Sequence, residues 1–315
     1  MTDRNEFDAE TTTDEVLEGI DLTGKLVLVT GGSSGLGAEA ARAFASKGAR
    51  VIITARNLEK ATGVAAGIAD KTGASVEVEE LELGNLAAIR AFADRINARG
   101  EKIDILLNNA GVMACPQSET DDGFELQFGS NHLGHFLMTN LIAPSLADGG
   151  RIVNLSSSGH GFSPVVFEDI MFENREYNKW LAYGQAKTAN ALFAVGLNAR
   201  LAGRDIEAFS VHPGAIMTDL ARHLTEDDRK MFEGSLAAGT LKMKSVEQGA
   251  ATGVYACTAP EIEGRGGAYL ADCRIAEVAE DGEQYTTVKP YAVDPAQAQR
   301  LWSVSEELVG QSFAY

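Results

Sequence analysis

Cysteine is scarce, with three residues, Cys115, Cys257 and Cys273, in a chain of 315. They are odd in number, widely scattered and outside metal-ligand spacing, which argues against a disulfide framework and against a zinc site. A reducing cytoplasm is the expected home. Positive charge is also short, with 27 Lys and Arg against 45 Asp and Glu and a formal net charge of −18. Nucleic acid and anionic phospholipid would both be repelled by such a surface, so neither is expected as a partner. No run approaches the roughly 18 apolar residues of a membrane span, and the N-terminal MTDRNEFDAE is too acidic for a signal or transit peptide. No repeat recurs at a fixed period, which sets aside solenoids and propellers.

What is present is globular material. Hydrophobic residues make up 45% of the chain and glycines number 33, enough apolar matter for a substantial core. The first residues are acidic and threonine-rich and read as a tail, yet Thr12 and Glu15 have capping-box spacing before Val16, Leu17 and Ile20. Residues 1–20 are therefore expected to form a strap whose apolar edge packs on the body. Beyond it the pattern is regular: KLVLVT is a short apolar run, a glycine-rich turn follows, and AEAARAFASKG is a helix pattern ended by glycine. The alternation recurs through VIITA, SVEVEELEL, IDILLNNAG, RIVNLS, IEAFSVHPG and GGAYLA, and DPAQAQRLWSVSEELVG closes with a helix capped at Asp294. Nearly continuous apolar strands between amphipathic helices predict an α/β fold, a doubly wound parallel sheet with helices on both faces. No linker interrupts it, so residues 21–315 are expected to be one domain.

Motifs collect at the strand ends. TGGSSGLG lies between the first strand and first helix, and its residues Gly31, Ser33, Ser34, Gly35, Leu36 and Gly37 can turn tightly and present helix N–H groups to a pyrophosphate. Such turns also serve packing alone, but the strand before and the helix after favour a cofactor. Asn109, Ala110 and Gly111 end the fourth strand, the hydroxyls around Ser157 end the fifth, and Pro213, Gly214 and Thr218 follow the sixth. On an open parallel sheet all of these converge at one edge. The five histidines, His132, His135, His160, His212 and His223, form no zincin-like pair, and no metal is expected.

LAYGQAK puts Tyr183 and Lys187 one helical turn apart on one face. A Y-x-x-x-K match is common by chance, so its meaning depends on its surroundings. An ammonium about 4 Å from a phenol in a half-wet cleft would lower the phenol's pKa toward neutrality by about three units. Between Ser157 and Tyr183 runs an apolar segment carrying Phe162, Val165, Val166, Phe167, Ile170, Met171, Phe172, Tyr177 and Trp180. Most of these should bury a long loop and some should wall a pocket. The residues after Thr218 mix charge and apolar positions at helical spacing, as a lid or as a plain surface helix.

TGGSSGLG, NNAG, the asparagine of FGSNHLGHF, NLSS, YGQAK and HPG, in that order, resemble the short-chain dehydrogenase/reductase family, a Rossmann-fold group. GIDLTGKLVLVTGG, NNAGVMACP and DGFELQFGSNHLGHF are similar to the branch that holds retinol dehydrogenases and the WW-domain oxidoreductase. Unlike the membrane-anchored retinol enzymes, no hydrophobic N-terminal anchor is expected. The resemblance implies a catalytic tetrad of Asn131, Ser157, Tyr183 and Lys187. Tyr183 would be the acid/base, Ser157 would hydrogen-bond the carbonyl oxygen, Lys187 would hold the cofactor ribose, and Asn131 would fix a water. It also implies an adenine contact at Glu82 and Leu83, where most relatives have aspartate first. Homo-oligomers are compatible with it.

The second strand ends VIITARN without a carboxylate, and Arg56 stands just beyond. An arginine there can grip a 2′-phosphate with charge-assisted bonds, with Lys60 one turn on, so NADP is expected over NAD. The implied activity is hydride transfer between nicotinamide and an apolar aldehyde, ketone or secondary alcohol. The alternative is a cofactor-binding redox sensor or scaffold without turnover, which would have no need of the complete tetrad.

Overall fold

The computed structural model describes residues 7–283 and 285–315. A short helix α1 (Thr13–Val16) precedes the alternating body of β1 (Leu26–Thr30), α2 (Gly35–Ser46), β2 (Arg50–Ala55), α3 (Leu58–Thr72), β3 (Val76–Glu80), α4 (Leu86–Ala98) and β4 (Ile103–Asn108). Then come α5 (Leu126–Phe128), α6 (Gly134–Leu141), β5 (Leu146–Leu155), α7 (Lys179–Leu201), β6 (Glu207–His212), α8 (Glu226–Ala237) and α9 (Val246–Thr258). The chain closes with β7 (Tyr269–Ala271), β8 (Arg274–Ile275), β9 (Glu277–Val278), β10 (Thr287–Val288) and α10 (Pro295–Val309).

Eight strands form one sheet in the order β3-β2-β1-β4-β5-β6-β7-β8, parallel throughout except for the antiparallel β7–β8 hairpin. The doubly wound expectation holds, and the order reverses between β1 and β4, where such sheets open a crevice. Side chains alternate between two cores because a strand turns successive residues to opposite faces. Leu26, Leu28 and Ile52 join Phe92 of α4, Phe136 of α6, Phe193 of α7 and Trp302 of α10 on one face. Val27, Val29, Val51 and Ile53 join Phe44 of α2, Ile68 of α3 and Val254 of α9 on the other. Burial on both faces is why these strands read as unbroken apolar runs.

At the open edge, β3 reads VEVEE, and Arg50, Arg95 and Arg99 pair with Glu77 and Glu79, leaving it charged rather than sticky. The strap expected over residues 1–20 is packed in its described part, residues 7–20, with 1–6 outside the described residues: Thr12 and Glu15 close a capping box, and Phe7, Val16 and Leu17 are buried in the second core. The short antiparallel β8 and the separate parallel pair β9–β10 carry too few residues to show a period in sequence. Among the described residues no helix is long and apolar enough to cross a membrane.

Candidate active site

The crevice above the β1/β4 switch holds a cavity of about 490 Å³. Its floor is the glycine turn. Gly31 takes a φ of +69° that favours glycine, and a Cβ on Gly37 would stand 2.5 Å from the Asn109 amide and the Gly31 carbonyl oxygen. The first turn of α2 can therefore press against the β4 turn. Ser34, the N-cap of α2, makes no side-chain capping bond, so the leading N–H groups of that helix remain available to an anion. Cradle, helix terminus and volume together fit a dinucleotide.

Of the residues singled out in sequence, Gly31, Ser33, Ser34, Gly35, Leu36, Arg56, Glu82, Leu83, Asn109, Ala110, Gly111, Tyr183, Lys187, Pro213 and Thr218 line this cavity. Gly37, Gly214, Asn131 and Ser157 stand behind the lining. Gly37 makes the close approach just described, and Gly214, at a φ of +99°, gives room to the Lys244 side chain. Asn131 is fully buried in a π-helical stretch, Gly129–Leu133, between α5 and α6. Its side chain is reciprocally tied to the Val112 backbone: Nδ2 donates to the carbonyl at 2.9 Å, and the N–H donates to Oδ1 at 2.8 Å. A Cβ on Gly111 would lie 3.1 Å from Asn131 Oδ1 and 3.7 Å from Lys187 Nζ, which places the β4 turn, the bulge and α7 within one contact shell.

Asn178 caps α7, and the one-turn spacing then brings Tyr183 and Lys187 to the same wall. Ser157 follows β5 and caps a short 3₁₀ turn; its Oγ accepts from the Gly159 N–H at 3.0 Å and is hydrogen-bonded to the Tyr183 hydroxyl. Its neighbour Ser156 borders the cavity, and its hydroxyl donates to the Lys187 carbonyl at 2.7 Å. Lys187 Nζ donates to the Leu155 carbonyl at 2.9 Å and stands 5.6 Å from the centre of the Tyr183 ring. Among the described residues it has no carboxylate partner.

The expected lowering of the phenol pKa is not what the structure gives. Burial pushes Tyr183 up to about 12, with the Ser157 hydrogen bond working in the opposite direction. Burial pushes the Lys187 ammonium down to about 8. A lowered phenol pKa needs a half-wet cleft; here Tyr183 and Lys187 are each 4% exposed, and the ammonium is directed to a main-chain oxygen. Desolvation outweighs the charge.

The outer end of the cavity is charged. Arg56 meets Glu82 at 3.6 Å, both well exposed, and Glu82 Oε1 also accepts from the Gly84 N–H at 2.9 Å. Lys60 pairs with Asp219 at 2.6 Å, and with Ser34 it holds that carboxyl below the usual range. Asp219 and Arg222 line this end and were not anticipated. Asp219 lies 159 positions from Lys60, and only its adjacency to Thr218 could have drawn notice.

The long segment before α7 divides, and none of its residues lines this cavity. Val165, Ile170 and Phe172 are buried, whereas Phe162, 44% exposed, meets Trp180 edge-on at 6.1 Å. Trp180 in turn meets Phe232 of α8 at 5.9 Å and joins Met113, Ala114, Ala221 and Leu224 in an apolar cluster. The N-terminal turn of α8 is latched to α7, since Lys179 pairs with Asp228 and the Trp180 indole N–H donates to the same carboxylate.

A family model described as short chain dehydrogenase matches residues 25–229. The chain belongs to the short-chain dehydrogenase/reductase family. Among curated relatives of this short-chain dehydrogenase, mouse retinol dehydrogenase 12 is 39% identical over 296 residues, 92% of this chain and 88% of the relative. Human retinol dehydrogenase 13 is 38% identical over 299 residues, 92% and 86% of the two chains. An uncharacterized protein from Mycobacterium paratuberculosis shares the fold with a TM-score of 0.72 at 34% identity, covering 94% of this chain and 97% of that one. A Burkholderia cenocepacia short chain dehydrogenase in complex with NADP aligns with a TM-score of 0.62 at 28% identity, covering 79% and 96%.

Proposed function

We propose that this chain is an NADP-dependent carbonyl reductase or alcohol dehydrogenase acting on apolar aldehydes, ketones or secondary alcohols. The observation that carries the reading is the Ser157–Tyr183 hydrogen bond beside a buried, carboxylate-free Lys187 at the inner end of a dinucleotide-sized cavity. A nicotinamide dinucleotide bound there supplies or accepts the hydride. The glycine turn and the α2 N-terminus hold its phosphates, and Asn109, Ala110, Gly111, Pro213 and Thr218 bound the site. Glu82 and Leu83 border the adenine.

Tyr183, like any tyrosine, carries its proton at neutral pH and can protonate a carbonyl oxygen as hydride arrives; burial makes it a weaker acid, which the Ser157 hydrogen bond partly offsets. Ser157 donates to the same oxygen and offsets its developing charge. Lys187 orients the cofactor ribose, and the Asn131 main-chain carbonyl holds a water through which Tyr183 is reprotonated. The cluster of Met113, Trp180 and Phe232 takes the apolar body of the substrate. Three buried free cysteines favour a reducing compartment, the cytoplasm. Residues 21–315 are the catalytic domain and residues 7–20, the described part of the N-terminal segment, its strap.

Arg56 just beyond β2 and Lys60 in the first turn of α3, with no carboxylate on that strand end, favour the 2′-phosphate. A hydrogen bond to a charged group is worth about 1.5 to 3 kcal/mol, so NADPH is expected to be preferred over NADH by roughly ten- to a hundredfold. The test is cofactor oxidation over a panel of apolar aldehydes, ketones and quinones, with retinal included because the named relatives are retinol dehydrogenases. Parent and Arg56→Leu are compared with both cofactors. A parent that favours NADH, or a variant whose preference does not move, refutes the assignment of the cofactor; tight NADPH binding without turnover on any substrate would favour the sensor or scaffold.

A further inference from the structure

The buried polar atoms beneath the cavity form a directed chain that the tetrad does not include. Thr30, the last residue of β1, is fully buried, and its Oγ1 receives two main-chain N–H groups, from Asn109 at 2.9 Å and Ala110 at 3.0 Å. A hydroxyl has two acceptor lone pairs and one proton. Both lone pairs are therefore used, and the proton goes to the remaining partner, His135 Nε2 at 2.9 Å. With Nε2 accepting, the neutral ring carries its proton on Nδ1, and Nδ1 lies 2.9 Å from the Asn131 carbonyl oxygen. The direction is fixed along its whole length: turn N–H groups to Thr30, Thr30 to His135, His135 to Asn131.

That last acceptor sits in the π-helical stretch, where the carbonyls leave the regular i to i+4 ladder and need another constraint on their direction. His135 is 1% exposed, and burial keeps the ring neutral. The Asn131 side chain binds Val112 in the same turn, so the bulge and the β4 turn are joined by two separate routes. A carbonyl oxygen has two lone pairs, and His135 uses one of them.

We infer that His135 is a positioning residue, locked as the Nδ1–H tautomer, which aims the Asn131 main-chain carbonyl and couples it through Thr30 to the turn that borders the cofactor. The inference deepens, and rests on, the reading of the cleft as an oxidoreductase site. It gives the water-binding carbonyl a fixed orientation and makes that orientation depend on the Asn109–Ala110 turn.

Two amide variants separate the ends of the chain. The side-chain amide of His135→Asn reaches the position of Nδ1 and can donate to Asn131 but not accept from Thr30; that of His135→Gln reaches Nε2 and does the reverse. The Gln variant should lose about tenfold in kcat with its NADPH dissociation constant within about threefold of the parent. The Asn variant should recover most of that rate while binding NADPH several-fold more weakly. Cofactor binding is read by tryptophan fluorescence and folding by thermal unfolding. Rates that simply follow lost stability in both variants, or a Gln variant with parental kcat, overturn the inference. The ring is also read directly, by nitrogen-15 NMR of the parent: an Nδ1–H tautomer unchanged from pH 8 to 5.5 is required, and an Nε2–H tautomer or an imidazolium overturns the inference even if no substrate is ever found. Absence of turnover in a parent with the required tautomer would fault the proposed function alone.

Discussion

Lowering the pH should unfold this protein through its histidines before its carboxylates titrate. Burial pushes His132 down to about 3, with His135 adding to the effect, and pushes His135 down to about 4. Burial, then the Lys244 charge, takes His212 down to about 3. In the unfolded chain each returns to about 6.5. Between pH 6.5 and 4 the unfolded state thus binds more protons, and stability is lost as pH falls through that window. Each histidine costs about 1.4 kcal/mol per pH unit once the unfolded form is protonated, so three cost about 4 kcal/mol per unit and about 6 kcal/mol from pH 7 to 5. His160, also lowered by burial, adds in the same direction, while Glu125, raised by burial, works against it by at most one proton. A loss of that size is comparable with the whole stability of many domains, about 5 to 15 kcal/mol. Urea unfolding followed by the fluorescence of Trp180 and Trp302 at half-unit steps from pH 7.5 to 5 measures the slope. His132→Leu removes one titrating group whose ring is hydrogen-bonded to Ser305 and packed on Phe128, Phe136 and Phe193, and should flatten the slope by about 1.4 kcal/mol per pH unit. A parent whose stability is flat from pH 7 to 5, or a variant with the parental slope, would refute the burial argument.

Ser157→Ala should lower turnover by about 2 to 4 kcal/mol in transition-state terms, and Ser156→Ala and Ser158→Ala should each cost less. If either of them costs more, the hydroxyl at the end of β5 has been assigned one residue out of register. Lys187→Met should abolish turnover yet raise stability at pH 7: a lysine lowered from 10.5 to about 8 costs the folded state about 3 kcal/mol below pH 8, and the Leu155 carbonyl keeps its bond from Asn190. The margin should close as pH rises from 8 to 10.5, where the unfolded lysine is the more protonated; a margin that stays constant with pH would contradict the desolvation of Lys187.

The doubly wound body was legible because its signals are local. Apolar runs bounded by a glycine turn, the Thr12–Glu15 capping box and the Asp294 cap all act within a few residues, and each is found in place. The glycine turn and the cavity lining followed from strand-end convergence, which topology alone enforces. What escaped depends on distant packing. The π-helical stretch at Gly129–Leu133 has no composition of its own, and its donor His135 reads in sequence as one more core histidine. Asp219 reaches Lys60 only because the residues after β6 cross the cavity mouth. The phenol's pKa was misjudged for the same reason: spacing places the lysine, but only the packed structure shows how dry the cleft is and that the ammonium bonds the Leu155 carbonyl.

The central claim is that Tyr183 is the proton donor of a working hydride-transfer site. Tyr183→Phe keeps the ring and its packing and removes only the hydroxyl bonded to Ser157. The account predicts parental NADPH affinity and thermal stability with turnover reduced by about a hundredfold or more, the range of general acid catalysis. Near-parental turnover in the phenylalanine variant, on any carbonyl substrate the parent reduces, would contradict it.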